Sequence, residues 1–166
     1  MARGRIQISV TQGTILTEGA LSMVADMEQG AQILFTGVVR EWNLGRRVTA
    51  VAYDAFEPLA MQVLKEICEE AQAKWGDSLH FCVQHRTGKL KVGEVSVVIA
   101  VGSKHRDEAY QASRYVIEEL KERVPIWKKE YYEGGETGWL KGHALCAHRS
   151  DHISGGHVHS HGSTGI

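Results

Sequence analysis

Leu120-Lys121-Glu122-Arg123-Val124-Pro125-Ile126-Trp127-Lys128-Lys129-Glu130 is the stretch on which the fold turns. Ala109, Ala112, Val116, Ile117, Leu120 and Val124 recur at helical spacing up to it, so an amphipathic helix arrives from the N-terminal side. Pro125 has no N–H to give and its ring collides with the turn before it, which ends that helix. Beyond it the aromatic residues Trp127, Tyr131 and Tyr132 predict a strand. Lys121 and Lys128 are thus carried on two rigid elements joined by a short elbow, which lets both ammonium groups reach one pocket. Folding requires a lysine at neither position. Composition by itself favours the plain reading, two solvated side chains at a helix end and on an edge strand.

Working outward toward the N-terminus, the helix is predicted over residues 104–123, directly after Gly102-Ser103. The run before it, residues 92–101, is apolar with little alternation at its end, as in a strand covered on both faces. At the junction Lys104, His105 and Arg106 crowd a helix N-terminus, where unpaired N–H groups and the dipole already favour an anion. Cations there cost the helix about a few tenths of a kcal/mol each unless an anion compensates. The competing reading leaves them pointing into water, with His105 capping or packing locally.

Further upstream, Pro58 opens a helix whose Leu59, Val63, Leu64, Ile67, Cys68, Ala71 and Trp75 form one stripe ending at Gly76, and a strand follows over residues 79–86. Residues 31–42 and 48–56 are predicted as strands joined by the turn Asn43-Leu44-Gly45-Arg46. In the first of these, Ile33, Phe35, Gly37 and Val39 share one face, and Arg40 ends the other. Ile6, Ile8 and Val10 predict a first strand, and Thr17 reads as the N-cap of a short helix carrying Ala20, Leu21, Val24 and Met27. Downstream, residues 139–141 are expected to pair back on the strand after Pro125.

The 43% hydrophobic content of 166 residues supports one domain with a proper core. A balance of 19 basic against 20 acidic residues argues against binding nucleic acid or membrane surfaces through bulk charge, so any anion site is local. There is no apolar run of signal-peptide or membrane-span length, and a soluble cytoplasmic protein is expected. Cys68, Cys82 and Cys146 form no Cys-x-x-Cys pair, which speaks against a thioredoxin-type or zinc-knuckle site. From Ala144 the chain becomes a polar tail with His148, His152, His157, His159 and His161, read as a weak metal binder without a preorganised site.

Phe35-Thr36-Gly37-Val38-Val39-Arg40, Asn43-Leu44-Gly45, Glu57-Pro58, His85-Arg86-Thr87-Gly88, His105-Arg106, Leu120-Lys121 and the run from Pro125 to Glu130 follow in order and at fitting spacing. Together they resemble the large, catalytic subunit of molybdopterin synthase, from about residue 5 to Lys141. The resemblance implies an α+β fold, with a hammerhead-like antiparallel sheet packed with helices and a small additional β subdomain. Residues 1–143 would be the catalytic domain and 144–166 a tail.

It further implies a sulfurtransferase that needs no cofactor. A separate small ubiquitin-like subunit would bring sulfur as a C-terminal Gly-Gly thiocarboxylate. The acceptor would be cyclic pyranopterin monophosphate, and the chain would form a homodimer within a heterotetramer. Lys121 and Lys128 match the family's active-site lysines. Arg40, His105 and Arg106 match its substrate-binding cations, with Lys129, Glu130 and His143 beside them, and Phe35 and Ile117 would meet the partner's tail. His143 stands where some members carry arginine, so any charge it contributes would fade above about pH 6.5. An amine with a pKa of about 10.4 is almost wholly charged at neutral pH, and crowding by other cations is expected to lower it. A non-catalytic binder of a phosphorylated ligand or of a partner's carboxylate tail is the rival reading, and the histidine-rich tail alone would suggest a metal carrier.

Overall fold

The apolar run ending in Val101 does form a strand covered on both sides, and the larger layer of the molecule is built around it. The structure is a computed structural model and describes residues 3–141. His143, Cys146 and the histidine-rich tail lie outside the described residues. In order come β1 (Ile6–Thr11), α1 (Thr17–Val24), β2 (Ala31–Val38), β3 (Trp42–Asn43), β4 (Arg46–Ala55), α2 (Glu57–Trp75) and β5 (His80–Arg86). Then follow β6 (Gly88–Lys91), β7 (Val95–Ser103), α3 (Arg106–Arg123), β8 (Ile126–Tyr132), β9 (Gly135–Glu136) and β10 (Leu140–Lys141).

The first sheet has the order β1-β5-β7-β2. β7 runs antiparallel to both neighbours, while β1 joins β5 in parallel. Strand parity decides what covers each face of β7. Val97, Ile99 and Val101 meet the main core with Phe81, Leu64, Ile67, Ala112 and Val116, beneath α2 and α3. Val98 and Ala100, with Cys82, pack instead on Ala20 and Val24 of α1. Each large aliphatic side chain buried here contributes about 1.5–3 kcal/mol, so neither face can be left open.

The second sheet has the order β10-β8-β4-β3, with β6 on β4 and β9 on β8. It encloses a small core of Val39, Val48, Val51, Leu90 and Tyr132, which is the additional β subdomain expected from the sequence. His85 of β5 meets Tyr53 of β4 edge to face at 5.0 Å. Burial pushes the His85 imidazole down to about 4, so it is neutral at physiological pH and behaves as an aromatic packing group.

The α+β architecture and the Pro125 stop agree with the sequence, and several details do not. Thr17 is not the N-cap of α1: Leu16 holds that position without a side-chain bond, and Met27 lies fully exposed beyond the helix end. The buried stripe of α2 is Ala60, Leu64, Ile67, Cys68, Ala71 and Gln72, while Leu59 is exposed. The polar Gln72 is drawn inward because its amide donates to Gly4 O and Leu79 O and accepts from Arg3 Nε. The α3 helix begins at Arg106, since His105 is still extended. Strand β6 has no counterpart in the sequence reading, because Lys89 and Lys91 leave it a single buried residue, Leu90. Register shifts between Gly37 and Val38, β2 stops at Val38, and Arg40 therefore lies beyond the strand rather than on its face.

Gly102 lets the end of α1 lie close against β7. A Cβ at this position would stand 2.5 Å from the Val24 carbonyl oxygen, a backbone atom that cannot swing away. Gly102→Ala should therefore lift α1 off the sheet and cost about 1–3 kcal/mol, read as a lowered urea midpoint at unchanged m-value.

Candidate active site

The elbow between helix and strand is held from three directions. Val124 N–H closes the last turn of α3 on Leu120 O, Ile126 N–H returns to Val124 O, and Pro125 O accepts from Phe56 N–H at the start of α2. Leu120, Val124 and Ile126 are all buried, so the elbow is anchored in the core. Lys121 projects from the last turn of α3 into solvent and makes no hydrogen bond or ion pair among the described residues. Ile117, one turn earlier, and Phe35 of β2 are partly buried against the main core.

On β8, parity separates two neighbouring lysines. Lys128, Glu130 and Tyr132 share one face; Trp127, Lys129 and Tyr131 share the other. Lys128 lies between Tyr53 of β4 and Leu140 of β10. Its Nζ is 2.5 Å from Glu130 Oε1, and only 18% of its side chain is accessible. Lys129 pairs with Glu136 at 2.9 Å and lies near the Tyr131 and Trp139 rings, so the structure does not bring it to Lys128. The bond to Glu136 raises the Lys129 pKa.

Glu130 is the buried centre of this face. Besides Lys128, it accepts from the Tyr132 hydroxyl and from Asn43 Nδ2, at 3.0 and 3.3 Å. Burial pushes its carboxyl up, and the bonds from Lys128, Tyr132 and Asn43 more than reverse this, so it is held below its ordinary value. Glu130 thus sits beneath the lysine with its carboxylate consumed, rather than open to an incoming substrate. The cation crowding expected for Lys128 is replaced by an anionic partner. Arg40 is exposed, and its Nη2 is 3.5 Å from Asn43 Oδ1, which connects it to the same network.

His105 and Arg106 are elsewhere. The rise of about 1.5 Å per residue puts Arg106 roughly 22 Å along α3 from Lys121. Strand register agrees: the start of β2 pairs with Ser103 beside the α3 N-terminus, whereas Arg40 follows the far end of β2. A cleft of about 420 Å³ lies at the His105 end, lined among others by Arg3, Arg5, Asp26, His80 and Lys104. Its His80 is committed on both nitrogens: Nε2 is bonded to Asp26 at 2.8 Å, and Nδ1 accepts from Arg5 N–H. Arg40 and Lys128 thus belong to one network through Asn43 and Glu130, Lys121 is carried on the last turn of α3 just before the elbow that leads into β8, and His105 and Arg106 lie at the opposite end of that helix.

Residues 10–123 match the family model described as MoaE protein. The chain belongs to the MoaE family, the catalytic subunits of molybdopterin synthase. Among curated MoaE relatives, the molybdopterin synthase catalytic subunit of Synechococcus elongatus is 48% identical over 145 residues, covering 87% of this chain and 88% of that protein. The Bacillus subtilis subunit is 45% identical over 134 residues, covering 81% and 84%. Among solved structures, molybdopterin synthase from Staphylococcus aureus aligns with a TM-score of 0.73 at 39% identity, over 84% of this chain and 98% of that one. A Helicobacter pylori structure titled as a complex of subunits 1 and 2 of molybdopterin-converting factor shares the fold at a TM-score of 0.64 and 21% identity, over 78% and 87%.

Asn43 and Tyr132 were missed as site residues in the sequence reading. Alternation along β8 already aligns Tyr132 with Lys128 and Glu130, so that signal was available; nothing local in the sequence shows Asn43 reaching across to it. Because Glu130 is held ionised below its ordinary value of 4.5, the stability it contributes is complete above that pH and is lost as pH falls through the folded value. Glu130→Gln should cost about 2–3 kcal/mol at neutral pH and flatten the acid limb of stability, measured by urea unfolding across pH.

Proposed function

We propose that the chain takes sulfur from the C-terminal Gly-Gly thiocarboxylate of a small ubiquitin-like partner and passes it, twice, to cyclic pyranopterin monophosphate, forming the dithiolene of molybdopterin. The observation that carries this reading is the pairing of one fixed and one unbound lysine across the Pro125 elbow. Lys128, bonded to Glu130, is held at a set place and suits the stabilising of negative charge that develops during transfer. Lys121, without a partner among the described residues, suits the group that works on the thiocarboxylate carbonyl as nucleophile or proton shuttle. Arg40 stands ready for a phosphate, which a guanidinium meets with two parallel hydrogen bonds. Phe35 and Ile117, apolar and half-covered, would guide a flexible glycine tail toward Lys121. The buried thiols of Cys68 and Cys82, both with pKa raised by burial, fit an enzyme that receives its sulfur on a partner. The titled two-subunit complex of the Helicobacter pylori relative supports such a partner.

The separation along α3 supports a second element of the reading. His105 and Arg106 would complete the phosphate site of a twin chain in a symmetric dimer, because they cannot reach Lys121 of their own chain. His143 lies outside the described residues, so its contribution rests on the sequence alone.

Lys121→Ala should abolish product formation from thiocarboxylated partner and precursor while partner binding and the unfolding midpoint stay unchanged; conversion at close to the unaltered rate would refute its role. Mixing Lys121→Ala with His105→Ala chains should restore up to about a quarter of full activity, because half of randomly paired dimers carry one intact site of two. A mixture as inactive as its components would show that each site is built from one chain.

A further inference from the structure

We propose that Asn43 is a positioning residue for the transfer reaction: its side-chain amide ties the Arg40 guanidinium to the carboxylate that holds Lys128. Two cations from distant parts of the chain are thereby set as one array. This rests on the reading that Lys128 and Arg40 face the substrate.

The amide has one workable orientation. Its Nδ2 donates to both Glu130 oxygens, at 3.0 and 3.3 Å, and lies 3.1 Å from the Tyr132 hydroxyl. Its Oδ1 faces Arg40 Nη2 at 3.5 Å. Turned over, the amide would set its oxygen against a carboxylate and its N–H groups against a cation. The backbone holds Asn43 at this point through a two-residue hairpin turn, in which Leu44 at φ 52° and Gly45 at φ 73° are both left-handed. From the returning strand Arg46 stacks on the Tyr132 ring at 3.9 Å, pinning the hairpin to β8. Asn43 is therefore not an incidental surface amide, since it is the direct link between the Arg40 side and the Lys128 side.

The charged and titratable groups facing this position are Glu130, Tyr132 and Lys128 from β8, Arg40 from the segment before β3, and Arg46 from β4. Asn43→Asp keeps the shape but puts a second carboxyl where the donor stood. Two carboxylates at that distance cannot both ionise comfortably, and protonation of the new one restores a donor toward Glu130. A purely structural role for Asn43 would show no such pH signature.

The experiment uses the full chain with thiocarboxylated small subunit and cyclic pyranopterin monophosphate, with kcat and KM followed between about pH 6 and pH 8. Conversion by the unaltered chain, its loss in Lys128→Ala and a reduced but measurable rate in Arg40→Ala test the underlying reading separately. Asn43→Ala should lower kcat/KM by about ten- to a hundredfold, the effect of one lost hydrogen bond to a charged group. In the Arg40→Ala background the same change should have much less effect. Asn43→Asp should show a deficit at pH 8 that shrinks toward pH 6, whereas the alanine deficit stays constant. Asn43→Ala within about twofold of the unaltered chain, full additivity with Arg40→Ala, or an aspartate deficit indifferent to pH would each overturn the proposal. Unfolding midpoints accompany every variant, and if Asn43→Ala does not fold, the isosteric aspartate variant decides the question.

Discussion

A carboxylate taken out of water must be met by donors, and Glu130 fixes the candidate site by that requirement. Its three partners come from two places along the chain: Lys128 and Tyr132 on its own strand, and Asn43 from a hairpin more than eighty positions earlier. Removing a donor leaves charge stranded in the interior, which is far more costly than the net value of the bond itself. The hairpin, the strand and the lysine are thus forced into one arrangement. The cationic surface proposed for the transfer reaction is held from beneath by a buried anion.

The fold was legible wherever periodicity and proline speak without ambiguity. The Pro125 stop, the doubly covered β7 and the pairing of residues 139–141 back on β8 could all be read from side-chain order. The misreadings share a cause, which is that a local pattern was decided by a distant partner. Gln72 turned inward because the chain near Gly4 and Leu79 offered it carbonyls, and this rotated the face assigned to α2. Strand β6 formed because β4 supplied a neighbour for it, although its own residues carry little apolar signal.

The candidate site was legible as a set of residue types and only partly as a place. Strand parity alone places Lys129 on the opposite side of β8 from Lys128, a distinction that a list of nearby basic residues hides. The length of α3 likewise separates His105 and Arg106 from Lys121, and counting residues along a helix is sufficient to see it. What no local rule gives is the reach of Asn43 across to β8, or the anionic partner of Lys128. Both depend on how the second sheet folds over itself.

The parallel union of β1 with β5 bears on how the protein is made. The first ribbon leaves the ribosome early, yet Arg5 N–H finds its acceptor on His80, 75 positions later. A parallel neighbour cannot zip up through a tight turn, so the ribbon waits, with Ile6, Ile8 and Val10 uncovered, until most of the main core has been synthesised. Joining across that separation slows closure of the sheet. During translation β1 thus remains an unpaired apolar strand until β5 has emerged, which is the kind of exposed edge on which nascent chains associate.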